Sequence, residues 1–244
     1  MRLNAVGPTI LTQQANDAWQ MLIDGDFEQG LRQLSSVVLR EGTGRYSGMR
    51  GIANLLVSNC HEAADDFLKL RRRLRFTPWV GCSLWICGDH EDACADWADL
   101  ISAANSSDEM YAEGAGALHQ AVLLWWASAR HNHHSRRNVA ERQLTALVRT
   151  DMSRQNGLGP VVQFLLGEIS EQELLAAALN SKYPVVESNQ LCQAHFYIAA
   201  VHLGNDDIGA YRRELLSVLS FGPKYSFPEH HLARYELSRL IDPV

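Results

Sequence analysis

No stretch of this chain is apolar for long enough to cross a bilayer. The strongest run, Ala121 to Ala127, is far shorter than the ~20 residues a membrane helix needs, so no membrane partner is expected. Cysteine is scarce and odd in number. Cys60, Cys82, Cys87, Cys94 and Cys192 lack the paired spacing of a disulfide framework, which predicts reduced thiols filling small core positions. Basic charge is short as well: 22 Lys and Arg stand against 28 Asp and Glu, and a net charge of −6 argues against a general nucleic-acid binder. The segment Met1 to Pro8 is broken by Gly7 and Pro8 before any signal-length apolar run, and no cysteine is placed there for lipidation. The chain is therefore expected to begin near Met1 and to work in the cytoplasm.

What the sequence does contain is a recurring phrase. It reads Gly25-Asp26-Phe27-Glu28-Gln29-Gly30, Gly88-Asp89-His90-Glu91-Asp92-Ala93 and Gly204-Asn205-Asp206-Asp207-Ile208-Gly209, with a worn copy at Asn59-Cys60-His61-Glu62-Ala63-Ala64. Each copy opens with a residue suited to the left-handed end of one helix, continues with acids suited to the positive start of the next, and closes on a small residue where two axes approach. Seven residues before the opening stand Ala18, Ile52, Gly81 and Ala194, and three before it Leu22, Leu56, Trp85 and Val201. Four beyond the small residue come Leu34, Leu68, Trp97 and Arg213. Only Arg213 breaks the apolar rule, with Leu215 and Leu216 as substitutes.

These spacings predict helices near 12–23 and 26–40, 45–58 and 61–75, and 78–87 and 90–104. A less regular pair follows at 115–130 and 136–150, around a polar loop His131 to Ser135. Pro160 starts a short helix, Ser170-Glu171-Gln172-Glu173 is a capping box opening a helix to about Asn180, and Tyr183-Pro184 closes that pair. The expected fold is all-α: one domain over 1–244, with hairpins at about 12–40, 45–75, 78–104, 115–150, 158–180 and 188–220 and a capping helix at 227–240.

The spacing from Gly30 to Ala64 is 34 and from Ala64 to Ala93 is 29. Here the chain resembles the tetratricopeptide family, through Trp19-Gly25-Asp26-Phe27-Gly30, Glu62-Ala64-Phe67 and Gly88-Asp89-Glu91-Ala93-Trp97. It departs from the pattern where Gly30 and Gly209 replace the usual Ala and where no Pro closes the first repeat. The part from Gln190 to Leu237 is similar to the terminal repeat and closing helix of bacterial adaptor lipoproteins and of cytosolic toxin-immunity proteins of that family. The resemblance implies a right-handed α-α superhelix that binds protein. Some members clamp a partner's C-terminal carboxylate with Lys and Asn. At the matching places this chain has Ala15, Trp19, Arg50, Arg75 and Trp79, so that mode is not expected.

Catalytic, cofactor and metal residues are not expected. His61-Glu62 and His90-Glu91 suggest half of a zinc-protease pattern, but the second His is missing from both and their shared register makes them repeat grammar. Cys82, Cys87, His90 and Cys94, like Cys192, His195 and His202, lack two pairs at zinc spacing. The His131, His133, His134 cluster reads as a solvated connector, and Arg71 to Arg75 as a helix C-terminus complementing its dipole.

The informative stretch runs from Phe76 to Glu113, which has eight acids and no Lys or Arg. Asp89, Asp92, Asp96 and Asp99 fall on one helical stripe opposite Ala93, Trp97 and Leu100, forming an acidic ridge suited to a basic partner. A plain solvated face is the alternative. Trp79, Trp85, Trp125 and Trp126, with Tyr111, are candidate aromatic anchors. Trp85 fits a core position better and core packing is the expectation for each one singly, but one of the adjacent Trp125 and Trp126 is expected at the surface because neighbours on a helix point about 100° apart. The functional expectation is a protein-binding scaffold, foremost an immunity protein neutralising a basic toxin. An adaptor for a peptidase or secretion machine, or an enzyme with an unrecognised site, are the alternatives.

Overall fold

The computed structural model describes residues 10–42, 44–71, 77–106, 117–131, 133–148 and 157–241. Residues 72–75 of the basic run, and Asp108, Glu109, Tyr111 and Glu113, lie outside them. The described residues are all-α, with no strand among them. Their contacts gather into two compact units, Met1–Cys87 and Gly88–Val244.

The first unit holds α1 (Ile10–Ile23), α2 (Phe27–Glu41), α3 (Ser47–Leu56), α4 (Cys60–Arg71) and α5 (Trp79–Cys87). Each packs on its successor in chain order. The Asp26 side chain caps α2 by accepting from the Gln29 amide at 3.3 Å, and Gly42, at φ +70°, ends it with its N–H returning to Val38 O. Cys60 at the start of α4 and Cys87 at the end of α5 form a disulfide, Cα to Cα 5.5 Å. This corrects the expectation that all five cysteines are reduced. The hairpin brings together two residues 27 apart, a proximity that linear spacing does not display, while Cys82, Cys94 and Cys192 are free and buried.

The second unit holds α6 (His90–Ser106), α7 (Leu118–His131), α8 (His134–Val148), α9 (Gly159–Leu165), α10 (Glu171–Leu179), α11 (Pro184–Gly204), α12 (Ile208–Ser220) and α13 (Pro228–Ile241). Here consecutive packing is supplemented by distant contacts: α7 lies against α11 as well as α6 and α8, and α11 also meets α9 and α13. The expected capping box is present, Ser170 Oγ accepting from the Glu173 amide at 3.3 Å and Glu173 accepting from the Ser170 amide at 2.7 Å. Tyr183 is extended before Pro184, as sterics require, and Pro184 opens α11. The polar loop expected at His131 to Ser135 is largely absorbed, because α7 reaches His131 and α8 begins at His134.

The recurring phrase needs a change of register. Gly25 and Gly88 take φ +90° and +93° as expected, but Asn59 and Gly204 do not open their copies. The left-handed residues there are Ser58 (φ +66°) and Asp206 (φ +59°). Asn59 and Asp207 then stand where Asp26 and Asp89 do, each accepting at its carbonyl the amide four residues on. Shifted by one and by two, the pattern tightens. The residues seven before become Ala18, Gly51, Gly81 and Ala199, all small and buried, and Leu34, Phe67, Trp97 and Leu215 follow as fully buried anchors, which removes the Arg213 exception. Close approach is real at two of these glycines. A Cβ on Gly30 would lie 2.6 Å from Leu22 Cδ2, and one on Gly51 would lie 2.8 Å from Phe67 Cζ. At Gly209 there is no such approach, and Tyr211 holds the position that Gly30, Ala63 and Ala93 hold elsewhere.

Candidate functional site

The α6 helix separates its two faces sharply. Ala93, Trp97 and Ala104 are fully buried, with Cys94, Leu100 and Ile101 beside them. Burial pushes the Cys94 thiol up to about 11, so it is a protonated packing group. Opposite them, Asp89, Asp92 and Asp99 are exposed and Asp96 is half-buried, so the predicted stripe exists as a geometric feature. Glu91 and Asp92 lie in the first turn, where the free amides of the helix favour carboxylates.

One acid of this turn is tied down. Arg136 on α8 donates to both oxygens of Glu91, the Nη1 contact at 3.1 Å, and His133 Nε2 lies 3.4 Å from the same carboxylate. The Arg136 hydrogen bond, then its charge, holds the Glu91 carboxyl below its ordinary value. Among the described residues no cation is bonded to Asp92 or Asp99. A cleft nearby in the same unit, about 270 Å³, is lined by Arg130, His133, His134, Arg137 and Asp206. Most of its cations are committed: Arg130 donates to Glu236 at 2.9 Å, and Arg137 donates to Glu141 at 3.0 Å while its guanidinium lies 4.4 Å from the Trp125 ring centre.

Core packing, expected for each tryptophan taken singly, holds for Trp85, Trp125 and Trp126. Trp125 and Trp126 are both buried, at 2% and 0% exposure, which corrects the argument that one of two helix neighbours must reach the surface. The physical reason is that α7, buried almost all round and packed by α6, α8 and α11, has nearly no solvent face. Trp126 packs on Phe196 at 5.2 Å and Trp125 lies beneath Arg137. Trp79 is half-buried and stacked on Phe67, ring centres 5.1 Å apart. Arg50, the cation at a clamp-like position, is occupied internally: its Nε donates to Asp66 Oδ2 at 2.7 Å, Asn54 and Lys69 complete the set, and the hydrogen bond to Asp66 raises the Arg50 pKa.

Sequence reasoning missed the polar interior of α13. Glu229, fully buried, accepts at Oε1 from His119 (2.8 Å), Tyr197 (3.1 Å) and Gln193 (3.3 Å). Burial drives its pKa up, but the charge and hydrogen bond of His119, with those from its own amide and Tyr197, outweigh this and leave it below the ordinary carboxylate value. Glu236 Oε2 accepts from Arg130 at 2.9 Å and from Tyr211 at 3.0 Å. Burial also depresses His230 to about 4 and His231 to about 3, keeping both neutral. A signal was available: Glu229 and Glu236 share the helical stripe of Leu232, Ala233 and Leu237, and an acid on an apolar stripe needs a partner.

Among the described residues no helix is long and apolar enough to cross a membrane. A scan of the sequence against protein-family models finds no match, and a search of curated proteins finds none similar to it.

Proposed function

We propose that this chain is a tetratricopeptide-type helical-hairpin solenoid that binds another protein through the acidic face of α6, and that it acts in the cytoplasm as an immunity protein neutralising a basic bacterial toxin. The observation that carries this reading is the α6 stripe: Asp92 and Asp99, with Asp89 just before the helix, are exposed to solvent while the opposite face of α6 is locked in the core. Fixed like charges repel one another. A cationic partner relieves that repulsion and is steered toward it during encounter. The recurring left-handed turn, the Asp or Asn that follows it and the buried anchor support the hairpin-repeat reading, since such repeats present rows of helix faces to partners.

Co-expression with the product of the adjacent gene tests the function. The proposal expects relief of that product's toxicity and a one-to-one complex of nanomolar affinity by calorimetry. Unchanged toxicity together with no complex removes it. An adaptor role is the second reading, favoured by a separate exposed apolar run of Leu179, Tyr183, Val185 and Val186 at the α10–α11 junction. It predicts several micromolar partners in place of one tight one.

A further inference from the structure

Cys60, His61 and Cys87 bring three potential metal donors together in the first unit, all within 4.8 Å of one another. Cys60 and His61 open α4 and Cys87 closes α5, with Cys87 Sγ 3.4 Å from His61 Nδ1. Around a tetrahedral zinc ion, bonds of about 2.3 Å to sulfur and 2.0–2.1 Å to nitrogen set donors roughly 3.5–3.8 Å apart. Opening the disulfide lets the two sulfurs reach that separation by side-chain rotation, with their Cα atoms already 5.5 Å apart. The cluster is also accessible, both cysteines being half-buried and His61 exposed. The other thiols differ. Cys82, Cys94 and Cys192 are buried, and burial pushes Cys192 up to about 12.

We propose that the reduced Cys60–Cys87 pair and His61 form a redox-gated site for Zn²⁺, with two thiolates and one imidazole as ligands and a fourth position left to water or a partner's side chain. A dithiol reductant opens it: the protein disulfide gains two electrons and two protons to give two thiols, and the reductant becomes a disulfide. Zinc then binds with release of the two thiol protons. A peroxide oxidant reverses the change, the thiolates losing two electrons to re-form the S–S bond while the peroxide takes them up with two protons as water, and zinc leaves. In a reducing compartment the metal form is the resting one.

The test titrates the full chain, reduced with a non-chelating phosphine, with Zn²⁺ against a chromophoric chelator, and repeats the titration with Co²⁺. One zinc per chain is expected, with a thiolate-to-cobalt charge-transfer band, and with release of the metal on adding hydrogen peroxide. His61→Ala, which leaves the disulfide intact, is expected to weaken binding by roughly tenfold or more, the scale on which even outer-shell partners matter. Cys60→Ser with Cys87→Ser is expected to abolish the band, circular dichroism confirming that the helices persist. Zinc binding that survives the paired serine substitution, or a reduced wild-type chain that takes up no zinc, overturns the proposal. So does a cobalt complex without the charge-transfer band.

Discussion

Asp66, the buried acid of the unit ending at Cys87, is tied within one hairpin, whereas Glu229 and Glu236, buried acids of the unit beginning at Gly88, join helices far apart in the chain. Asp66 meets Arg50 and Asn54 at separations of 16 and 12, while Glu229 meets His119 at 110 and Glu236 meets Arg130 at 106. The two networks also differ in access to water. Arg50 and Lys69 reach solvent around Asp66, whereas Glu229 is fully enclosed and two of its three donors, Gln193 and Tyr197, are themselves buried. A local tie holds one hairpin in register. A distant one closes the chain on itself, so it matters more to lose.

The largest expected effect therefore belongs to Glu229→Ala, which leaves His119, Gln193 and Tyr197 facing an unfilled position. Removing one partner from a buried ionic cluster costs ~3–5 kcal/mol, and hydrogen exchange is expected to rise across α11 and α13. Asp66→Ala is expected to cost less, ~2 kcal/mol, because Arg50 and Lys69 re-solvate, with faster exchange confined to α3 and α4. Equal losses from the two substitutions would erase the distinction between local and distant closure.

Packing gives the next contrast. Gly51→Ala forces a methyl into the Phe67 ring and is expected to cost ~1–3 kcal/mol in urea unfolding. Gly209→Ala meets only ordinary contacts near Asp207 and Arg213 and is expected to be neutral or to stabilise by about 0.5–1 kcal/mol.

Acid sharpens the comparison differently. His230 and His231 titrate at about 4 and about 3 in the folded chain, against 6.5 when unfolded, so over that interval the unfolded state binds more protons. Stability from these groups is whole above pH 6.5 and is lost as pH falls toward 4 and below. His230→Phe is expected to flatten the decline of urea midpoints between pH 6.5 and 4, and an unchanged slope would show that His230 does not remain neutral in the fold.

Much of the hairpin grammar was legible because it is local. Asp26 and Ser170 cap helices from positions fixed by neighbouring residues, and Gly25 and Gly88 take the left-handed turn their composition favours. The register slips came where Ser58 and Asp206 adopt that conformation in place of a neighbouring Asn or Gly, which puts the small buried Gly51 and Ala199 seven residues before the turn. The acidic stripe was legible for the same reason, being a property of one helix. Long-range facts were not: the burial of both Trp125 and Trp126 depends on α11 crossing α7, and the Cys60–Cys87 bond depends on how α4 meets α5.

A small effect on stability and the largest on function are expected from the same change. Asp92→Lys with Asp99→Lys alters exposed side chains and is expected to cost no more than about 1 kcal/mol of unfolding free energy, most of it from the cation placed in the first turn of α6. The decisive measurement is stopped-flow association of this variant with the protein partner captured in the co-expression experiment, across a range of salt. The account predicts an association rate slowed by roughly tenfold or more at low salt, with the gap closing as salt rises and dissociation little changed. Association at the wild-type rate and with the wild-type salt dependence would contradict the assignment of the α6 face as the docking surface.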